Sequence, residues 1–294
     1  TWCLPEVKVG TWGGFVFVNL DPDSGPLEDH VGTLGEHFAA WPLEQRFKQA
    51  HVGKVLRCNW KLAQEAFMES WHVVATHAQL LPGLGDTISK YDQWGNFSRT
   101  LTPNGVPSPH LNWQPTEQEM MDALTDRPLD EPIRVVVPEG QTARLTMANN
   151  RRAHLEHEIG ADVAQSLSDA EMCDSMPYTL FPNIHPWGSY NRTCYRFRPY
   201  GNDPGLSIME CMILSPYEGD TPPKGAELKM VEMDTSWTTV PELGLLARVF
   251  DQDDANLPFV QKGLESGSLD EVTFAEYQET KIRHFHVVLE QWLA

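Results

Sequence analysis

The sequence predicts an α+β fold, in which an antiparallel sheet and a set of helices come from separate stretches of the chain. From Met176 onward, apolar and polar residues alternate with period two, as in strands with one buried face. The strands predicted from these segments, which stand at hairpin spacing, are residues 178–184, 189–199, 206–214 and 228–233. Helical periodicity then closes the chain at roughly residues 242–265 and 274–293. A meander followed by helices is typical of the α+β class.

The N-terminal part of the chain supplies a strand and a helix. A glycine pair opens the apolar run at residues 13–20, which predicts a buried strand entered through those glycines. The Asp- and Pro-rich run 21–26 ends this strand, and residues 27–41 have the pattern of a short amphipathic helix. Residues 51–58 predict another strand, which runs directly into a helix from Asn59 onward.

The middle of the chain is expected to consist mainly of loops and helices. Residues 80–85 are a predicted loop and residues 94–101 a predicted strand. Residues 102–139 are rich in Pro and polar side chains, with a clear helical pattern at 117–124, and residues 143–172 resemble a polar amphipathic helix. Long connections inside a compact domain are usually functional covers or mobile segments. We therefore expect residues 102–172 to be a cover or insertion within a domain that spans 1–294.

The composition limits the class of protein. The 294 residues are 41% hydrophobic, which suits one large or two small globular domains. No run of about 18 apolar residues is present, so a membrane-spanning helix is not expected. A net charge of −19 argues against nucleic acid or an anionic membrane as a partner. Five scattered cysteines without a CxxC pair favour a reducing, cytoplasmic location.

Two histidines and an acidic residue on the helix predicted from Asn59 are candidates for a metal site. Glu69 lies three residues before His72, so a helix places both on one face, and a carboxylate often orients a metal-binding imidazole. His77 follows five residues after His72, which is about 140° away around an ideal helix. Both can bind one ion only if the helix widens into a π-turn or ends between them. Histidine pairs at such spacing serve packing or the surface more often than a metal.

The residues around this pair resemble the mononuclear-iron motif of Rieske non-heme iron oxygenase large (alpha) subunits. The motif here is Asn-Trp-Lys at 59–61, then Glu-x-Phe-x-Glu-x-Trp-His at 65–72, then His77. The family usually has Glu-Asn-Phe and Tyr-His where this chain has Glu65-Ala66-Phe67 and Trp71-His72. The match is long and specific, and it favours a metal site over a packing role.

The same resemblance implies a fold and a missing domain. The family's catalytic domain is a helix-grip (Bet v 1-like) fold, in which a curved antiparallel sheet wraps around helices over a cavity. Residues 13–22 are similar to the passage that follows the cluster domain in the family, so we expect a Rieske [2Fe–2S] domain upstream. That cluster needs one Cys-x-His and one Cys-x-x-His pair, and the sequence contains neither. We therefore expect that this chain does not hold the cluster by itself.

A late aspartate is the third candidate ligand. The family takes its carboxylate from an Asp shortly before a Val-Gln-x-Gly-Leu string, which is present here at 260–264 and leaves Asp251, Asp253 and Asp254 as candidates. Apolar residues stand three, four and seven positions before Asp253 and four and seven after it, and a lone carboxylate in such a stripe needs a cation. We therefore choose Asp253. Asp254 stays open because Pro258 cannot donate to its carbonyl and can bend the helix there, and the third alternative is that all three acids merely cap or decorate a helix start.

The resemblance implies an aromatic-ring-hydroxylating dioxygenase or monooxygenase. His72, His77 and Asp253 would hold Fe(II), and the enzyme would use dioxygen on an aromatic or other cyclic substrate. Electrons would come from NAD(P)H through a reductase, with or without a ferredoxin, and the [2Fe–2S] centre. Glu69, where many members have Asp, would couple His72 to a cluster ligand on the neighbouring subunit of a homotrimer.

Substrate-binding residues can be proposed from helical spacing. Counting from His72 places Ala66, Ser70 and Val73 near the open side of the metal, and the small side chains at 66 and 70 leave room for a bulky substrate. Strand residues expected to line the cavity, if the register is right, are Tyr178, Leu180 and Met209.

Two other functions remain as alternatives. A metal-free helix-grip protein that carries a hydrophobic ligand is consistent with the missing cluster pairs. An iron enzyme that takes electrons from a separate cluster protein is the other. Iron content distinguishes the carrier from both enzymes, and the reading frame upstream of Thr1 distinguishes the two enzymes.

Overall fold

A large sheet forms the framework of the protein. A computed structural model describes residues 4–126, 132–268 and 270–294. The strands are β1 (Lys8–Trp12), β2 (Phe15–Asn19), β3 (Arg46–Leu56), β4 (Lys90–Trp94), β5 (Phe97–Leu101), β6 (Tyr178–Leu180), β7 (Ile184–Pro186), β8 (Thr193–Tyr200), β9 (Asp203–Pro216) and β10 (Lys229–Val231). Within the described residues, β1 and β2 form a hairpin and the rest form an eight-stranded sheet in the order β10-β3-β9-β8-β7-β6-β5-β4. Neighbouring strands of this sheet pair antiparallel, except that β10 runs parallel to β3.

Helices pack on both faces of this sheet. They are α1 (Leu27–Val31), α2 (Leu34–His37), α3 (Trp60–Glu65), α4 (Val73–Thr76), α5 (Glu117–Leu124), α6 (Ala143–Ile159), α7 (Ala161–Ser166), α8 (Asp169–Cys173), α9 (Leu246–Glu265) and α10 (Thr280–Leu293). Short 3-10 helices lie at Leu43–Gln45, Ala78–Leu80, Asp86–Ile88, Trp237–Thr239 and Pro241–Leu243. The expected α+β class is confirmed. No helix among the described residues has the length and apolar character that crossing a membrane requires.

Strand register decides which side chains face which helices. Tyr195 of β8 pairs with Cys211 of β9, and both belong to the core cluster that includes Phe250 of α9. The next pair, Cys194 and Met212, points the opposite way into a cluster with residues of α1 and α2. The sheet therefore has an α3/α9 face and an α1/α2 face, as the period-two alternation requires.

That register corrects part of the expected cavity lining. Tyr178 and Leu180 belong to the cluster on the α1/α2 face, whereas Met209 lies on the α3/α9 face. Thr179 is the β6 residue that turns toward α3, since its hydroxyl bonds His185, whose other ring nitrogen bonds Gln64 of α3. A one-residue register error moves every side chain of a strand to the other face.

The N-terminal strand is not buried, contrary to expectation. Gly13 and Gly14 form the turn between β1 and β2, both with positive φ, and β1 had not been predicted. Val16 and Val18 are 68% and 60% exposed, because the two-stranded hairpin is covered on one side only. The expected helix at 27–41 divides into α1 and α2 at Gly32, whose φ of 55° ends the first helix.

Several other boundaries differ from the predictions for local reasons. The strand predicted at 94–101 contains only the last residue of β4, turns at Gly95 and continues as β5, with which β4 forms a hairpin. The helix predicted at 143–172 becomes α6, α7 and α8, since Gly160 with φ 85° interrupts it and Ser168 forms a capping box for α8. The strand predicted at 228–233 shortens to β10, which joins the sheet edge beside β3 instead of extending the meander. Predicted residues 178–184 split into β6 and β7.

About half of the described residues in the expected cover at 102–172 are helical. Its helix α5 has the predicted bounds, and α6 to α8 build a hydrophobic cluster that also contains Trp41 and Tyr190. Residues 127–131 of this stretch lie outside the described residues. The covering role stays a prediction.

Candidate metal centre

The histidine motif folds as two short helices, not as the continuous helix that the sequence predicted. Asn59 caps α3 by accepting the N–H of Lys61 at 3.0 Å, and α3 ends at Glu65. The following N–H groups of Phe67 and Met68 bond carbonyls three residues back, which tightens the chain and ends the helix. Helix α4 then covers only Val73–Thr76.

His72 and His77 stand immediately before and after α4, so both rings turn toward the same point. His72 has helical backbone angles, whereas His77 has φ −123° and ψ 44° and leaves the helix. The ring centroids are 5.0 Å apart with planes at 74°. Helix α4 therefore ends between the two histidines, which is one of the two arrangements that the five-residue spacing required.

Asp253 of α9 completes the group. Its Oδ1 lies 3.0 Å from His77 Nε2 and 3.6 Å from His72 Nε2, and the three candidate ligand atoms all lie within 4.8 Å of one another. His77 and Asp253 are 2% and 5% exposed. The His72 side chain is partly exposed, at 23%. Two imidazole nitrogens and one carboxylate oxygen that meet at one largely buried point form a donor set that suits Fe(II) with open positions.

The other two aspartates have different partners. Asp251 accepts from the backbone N–H of Trp237 at 2.8 Å and from the Ser236 hydroxyl. Asp254 forms an ion pair of 2.5 Å with Lys54, a buried residue of β3. Of the three candidates, Asp253 is thus the one that the structure brings to the histidines.

The outer nitrogens of the two imidazoles have unlike partners. His72 Nδ1 lies 2.5 Å from Glu69 Oε1, and Glu69 Oε2 accepts the backbone N–H groups of Trp71 and His72. His77 Nδ1 lies 2.8 Å from Gln252 Oε1. Burial lowers the pKa of His72, but the hydrogen bond and charge of Glu69 and the charge of Asp253 outweigh it, so this pKa is raised above its ordinary value.

Glu69 lies where the sequence predicted, against the outer nitrogen of His72, with 9% of its side chain exposed. Gln252 was not foreseen. It is a polar residue next to Asp253 in the helix, and no periodic signal distinguishes it from an ordinary half-exposed glutamine.

The three expected substrate-binding residues need a separate description, because the continuous helix used to place them is absent. Ala66 is partly buried and packs against the α9 cluster. The Ser70 hydroxyl lies 2.8 Å from that of Thr102, and Val73 is the buried first residue of α4. Their contact with a substrate stays a prediction.

Comparison with known proteins identifies the family. The profile described as ring hydroxylating alpha subunit (catalytic domain) matches residues 34–294. The chain belongs to this family. The resemblance found in the histidine motif is therefore confirmed, and it extends over most of the sequence.

Relatives share shorter segments. The glycine betaine monooxygenase oxygenase subunit of Chromohalobacter salexigens is 32% identical over 81 residues, 28% of this chain and 18% of that protein. Chlorobenzene dioxygenase subunit alpha of Cupriavidus sp. is 29% identical over 103 residues, 31% of this chain and 22% of that protein.

Solved structures share the fold. A quaternary ammonium Rieske monooxygenase in complex with an inhibitor superposes with a TM-score of 0.58 at 14% identity, covering 97% of this chain and 61% of its own. Naphthalene 1,2-dioxygenase with indole bound in its active site gives 0.51 at 14% identity, covering 96% and 63%. The chain thus spans less than two thirds of the length of these relatives.

Proposed function

We propose that this chain is the catalytic domain of a Rieske-type oxygenase, which uses Fe(II) and dioxygen to hydroxylate a small organic substrate. The convergence of His72, His77 and Asp253 on one buried point carries the proposal. The two histidines flank α4, whereas Asp253 comes from α9, far along the sequence, so the fold brings the third side chain to the other two. Family membership supports the same conclusion.

The side chains around this point have defined tasks in the proposal. Bound Fe(II) would supply open coordination positions and a one-electron redox couple at the substrate. Nε2 of His72, Nε2 of His77 and a carboxylate oxygen of Asp253 would hold the ion. Glu69 keeps a proton on Nδ1 of His72, which leaves the Nε2 lone pair free to bind. Burial of Asp253 favours a cation there, since a buried carboxylate without one is costly.

Electrons would enter beside Glu69. This residue bonds the outer nitrogen of His72, and the neighbouring Trp71 is 44% exposed, so the segment reaches the surface. We propose that a [2Fe–2S] centre, reduced from NAD(P)H by a reductase with or without a ferredoxin, docks there from a neighbouring subunit of a homotrimer. Buried free thiols at Cys58, Cys173, Cys194 and Cys211 are compatible with the proposed cytoplasmic location.

The substrate is proposed by class. An aromatic or other cyclic compound was expected, and the relatives named for chlorobenzene and naphthalene support that class. The relatives named for glycine betaine and quaternary ammonium compounds support a second class. Ala66, Ser70 and Val73 remain the proposed contacts. Oxygen uptake by the chain assembled with a Rieske [2Fe–2S] domain and a reductase, measured with a compound of each class, separates the two classes.

Iron content tests the proposal against the metal-free carrier. The purified chain, loaded anaerobically with Fe(II) and desalted, is expected to retain about one iron per chain, and His72→Ala and Asp253→Ala are expected to retain almost none. His286→Ala is the matched control, because His286 also contacts a carboxylate, Glu65 at 2.8 Å, but stands on α10 outside the triad. An unchanged chain without iron, or His72→Ala with full iron, would refute the proposed site.

A further inference from the structure

The side chain of Gln252, which is paired with that of Gln79, contacts the outer nitrogen of His77. Gln252 Oε1 lies 2.8 Å from His77 Nδ1 and also accepts from Gln79 Nε2 at 2.8 Å. Gln252 Nε2 donates back to Gln79 Oε1 at 3.1 Å. The two amides therefore form a closed reciprocal pair, one oxygen of which is shared with the imidazole.

The pair joins the two segments that carry the proposed ligands. Gln79 belongs to the 3-10 helix Ala78–Leu80, which directly follows His77. Gln252 precedes Asp253 on α9. Both glutamines are half-buried, so water competes with these hydrogen bonds less than it would at a fully exposed site.

We propose that the Gln252–Gln79 pair positions His77 for metal binding, by holding the ring proton on Nδ1 and leaving the Nε2 lone pair directed at the ion. The inference rests on the proposed function. Turning both amides together by 180° would keep their pairing but set an NH2 group against Nδ1. The ring proton would then sit on Nε2, 3.0 Å from Asp253 Oδ1, where it would exclude the ion.

The pair also makes the two histidines unequal. His72 is held by the charged carboxylate of Glu69, whereas His77 is held by a neutral amide. A carboxylate partner raises the basicity of a metal-bound imidazole, and an amide does so less. Gln252 is thus a positioning residue, which acts on the ion through His77.

Anaerobic titration of the metal-free chain with Co(II), followed by visible absorption, tests the proposal. Gln252→Leu removes the acceptor and is expected to weaken Co(II) binding about 10- to 100-fold. Gln252→Glu keeps an oxygen against Nδ1 and is expected to bind within about threefold of the unchanged chain. Gln291→Leu, an exposed position on α10, is the matched control and should bind normally.

Gln79 provides a second route to the same test. Gln79→Leu leaves Gln252 against His77 but without its amide partner. The loss of Co(II) affinity should therefore be smaller than with Gln252→Leu. The double variant should bind no more weakly than Gln252→Leu alone, because Gln79 acts through Gln252. Thermal unfolding of each metal-free variant shows whether it is folded. If Gln252 had a merely structural role, its substitution would lower the unfolding temperature, and Gln252→Glu would not restore Co(II) binding.

The outcomes separate the inference from the proposed function. Binding by Gln252→Leu within about threefold of the unchanged chain overturns the inference, and so does Gln252→Glu that binds as weakly as Gln252→Leu. An unchanged chain that binds no Co(II) overturns both.

Discussion

A buried glutamate on the α1/α2 face of the sheet is predicted to stabilise the fold, and its contribution to the folding free energy follows from its contacts. Glu210 of β9 is 0% exposed and contacts His51, Arg196 and Arg198 at 2.7 Å each. Burial alone would raise the pKa of Glu210, but the hydrogen bonds from His51, Arg198 and Arg196 and the charge of Arg196 lower it from 4.5 to about 2. The charged form of this residue therefore stabilises the folded state.

Glu210→Gln removes the charge and leaves both arginines without their carboxylate. A tenfold change in proton affinity is worth about 1.4 kcal/mol, so the lowered pKa corresponds to about 3 kcal/mol of folding free energy at pH 7. The arginine side chains are 40% and 37% exposed, and solvent screening reduces this to about 2–3 kcal/mol.

The sign of the pH dependence follows from the lowered pKa. The contribution is complete above the unfolded-state pKa of 4.5 and is lost as pH falls toward 2, so at pH 3 about 1 kcal/mol of the screened contribution should remain. Urea unfolding of the unchanged chain and of Glu210→Gln at pH 7 and pH 3 measures this contribution. Glu227→Gln, at a side chain that is 85% exposed, is the control and should change stability by less than about 0.5 kcal/mol. A difference that is absent at pH 7, or that does not shrink at pH 3, would refute the reasoning.

Further predictions concern the metal site. Fe(II) at 100 times its Kd should stabilise the chain by about 2.7 kcal/mol in anaerobic urea unfolding, and Asp253→Asn should lose most of this effect. Glu69→Gln should retain iron but transfer electrons more slowly in stopped-flow reduction of the chain assembled with a Rieske [2Fe–2S] domain, with Glu65→Gln as control; iron loss would make Glu69 a structural support of the site. The isolated chain should bind iron yet show no sustained NADH-coupled turnover with a reductase alone, and adding a Rieske [2Fe–2S] domain should give turnover; steady turnover without such a domain would reveal another electron route.

Short-range signals in the sequence were sufficient for some elements. Helix α5 has the predicted bounds because its start is fixed locally, by the capping box between Thr116 and Glu119. Among the three aspartates that the family resemblance offered, Asp253 was selected because an aspartate in an apolar helical stripe needs a cation. The middle of that stripe does face the core, with Phe250 and Leu257 buried, whereas Val260 at its end is exposed. Both inferences used neighbours within two helical turns.

Long-range effects account for the errors. The motif helix has good local periodicity, but it ends at Glu65 and resumes at Val73, and the contacts that favour this arrangement come partly from distant residues such as Thr100, whose hydroxyl donates to the Met68 carbonyl. The parallel pairing of β10 with β3 brings together strands far apart in sequence. Gln252 bonds Gln79 across the same kind of distance, so local pattern gives no sign of it.

The ligand set depends on this packing, which Phe250 can test. Phe250 lies one helical turn before Asp253, and its ring lies 6.0 Å from that of Phe67, 5.6 Å from Tyr195 and 5.2 Å from Trp237. These contacts fix the rotation of α9, and Phe67 belongs to the histidine segment, so one aromatic cluster holds both halves of the site. Phe250→Ala should cost about 3–5 kcal/mol of stability.

The same substitution should weaken Co(II) binding, because Asp253 and the histidines lose their common support. Phe250→Leu retains most of the volume and is the milder comparison. Affinity must be measured at a temperature where the variant is fully folded by circular dichroism, so that unfolding does not mimic lost binding. Unchanged affinity in a folded, destabilised Phe250→Ala protein would show that α9 is positioned by its other contacts and that the aromatic cluster serves stability alone.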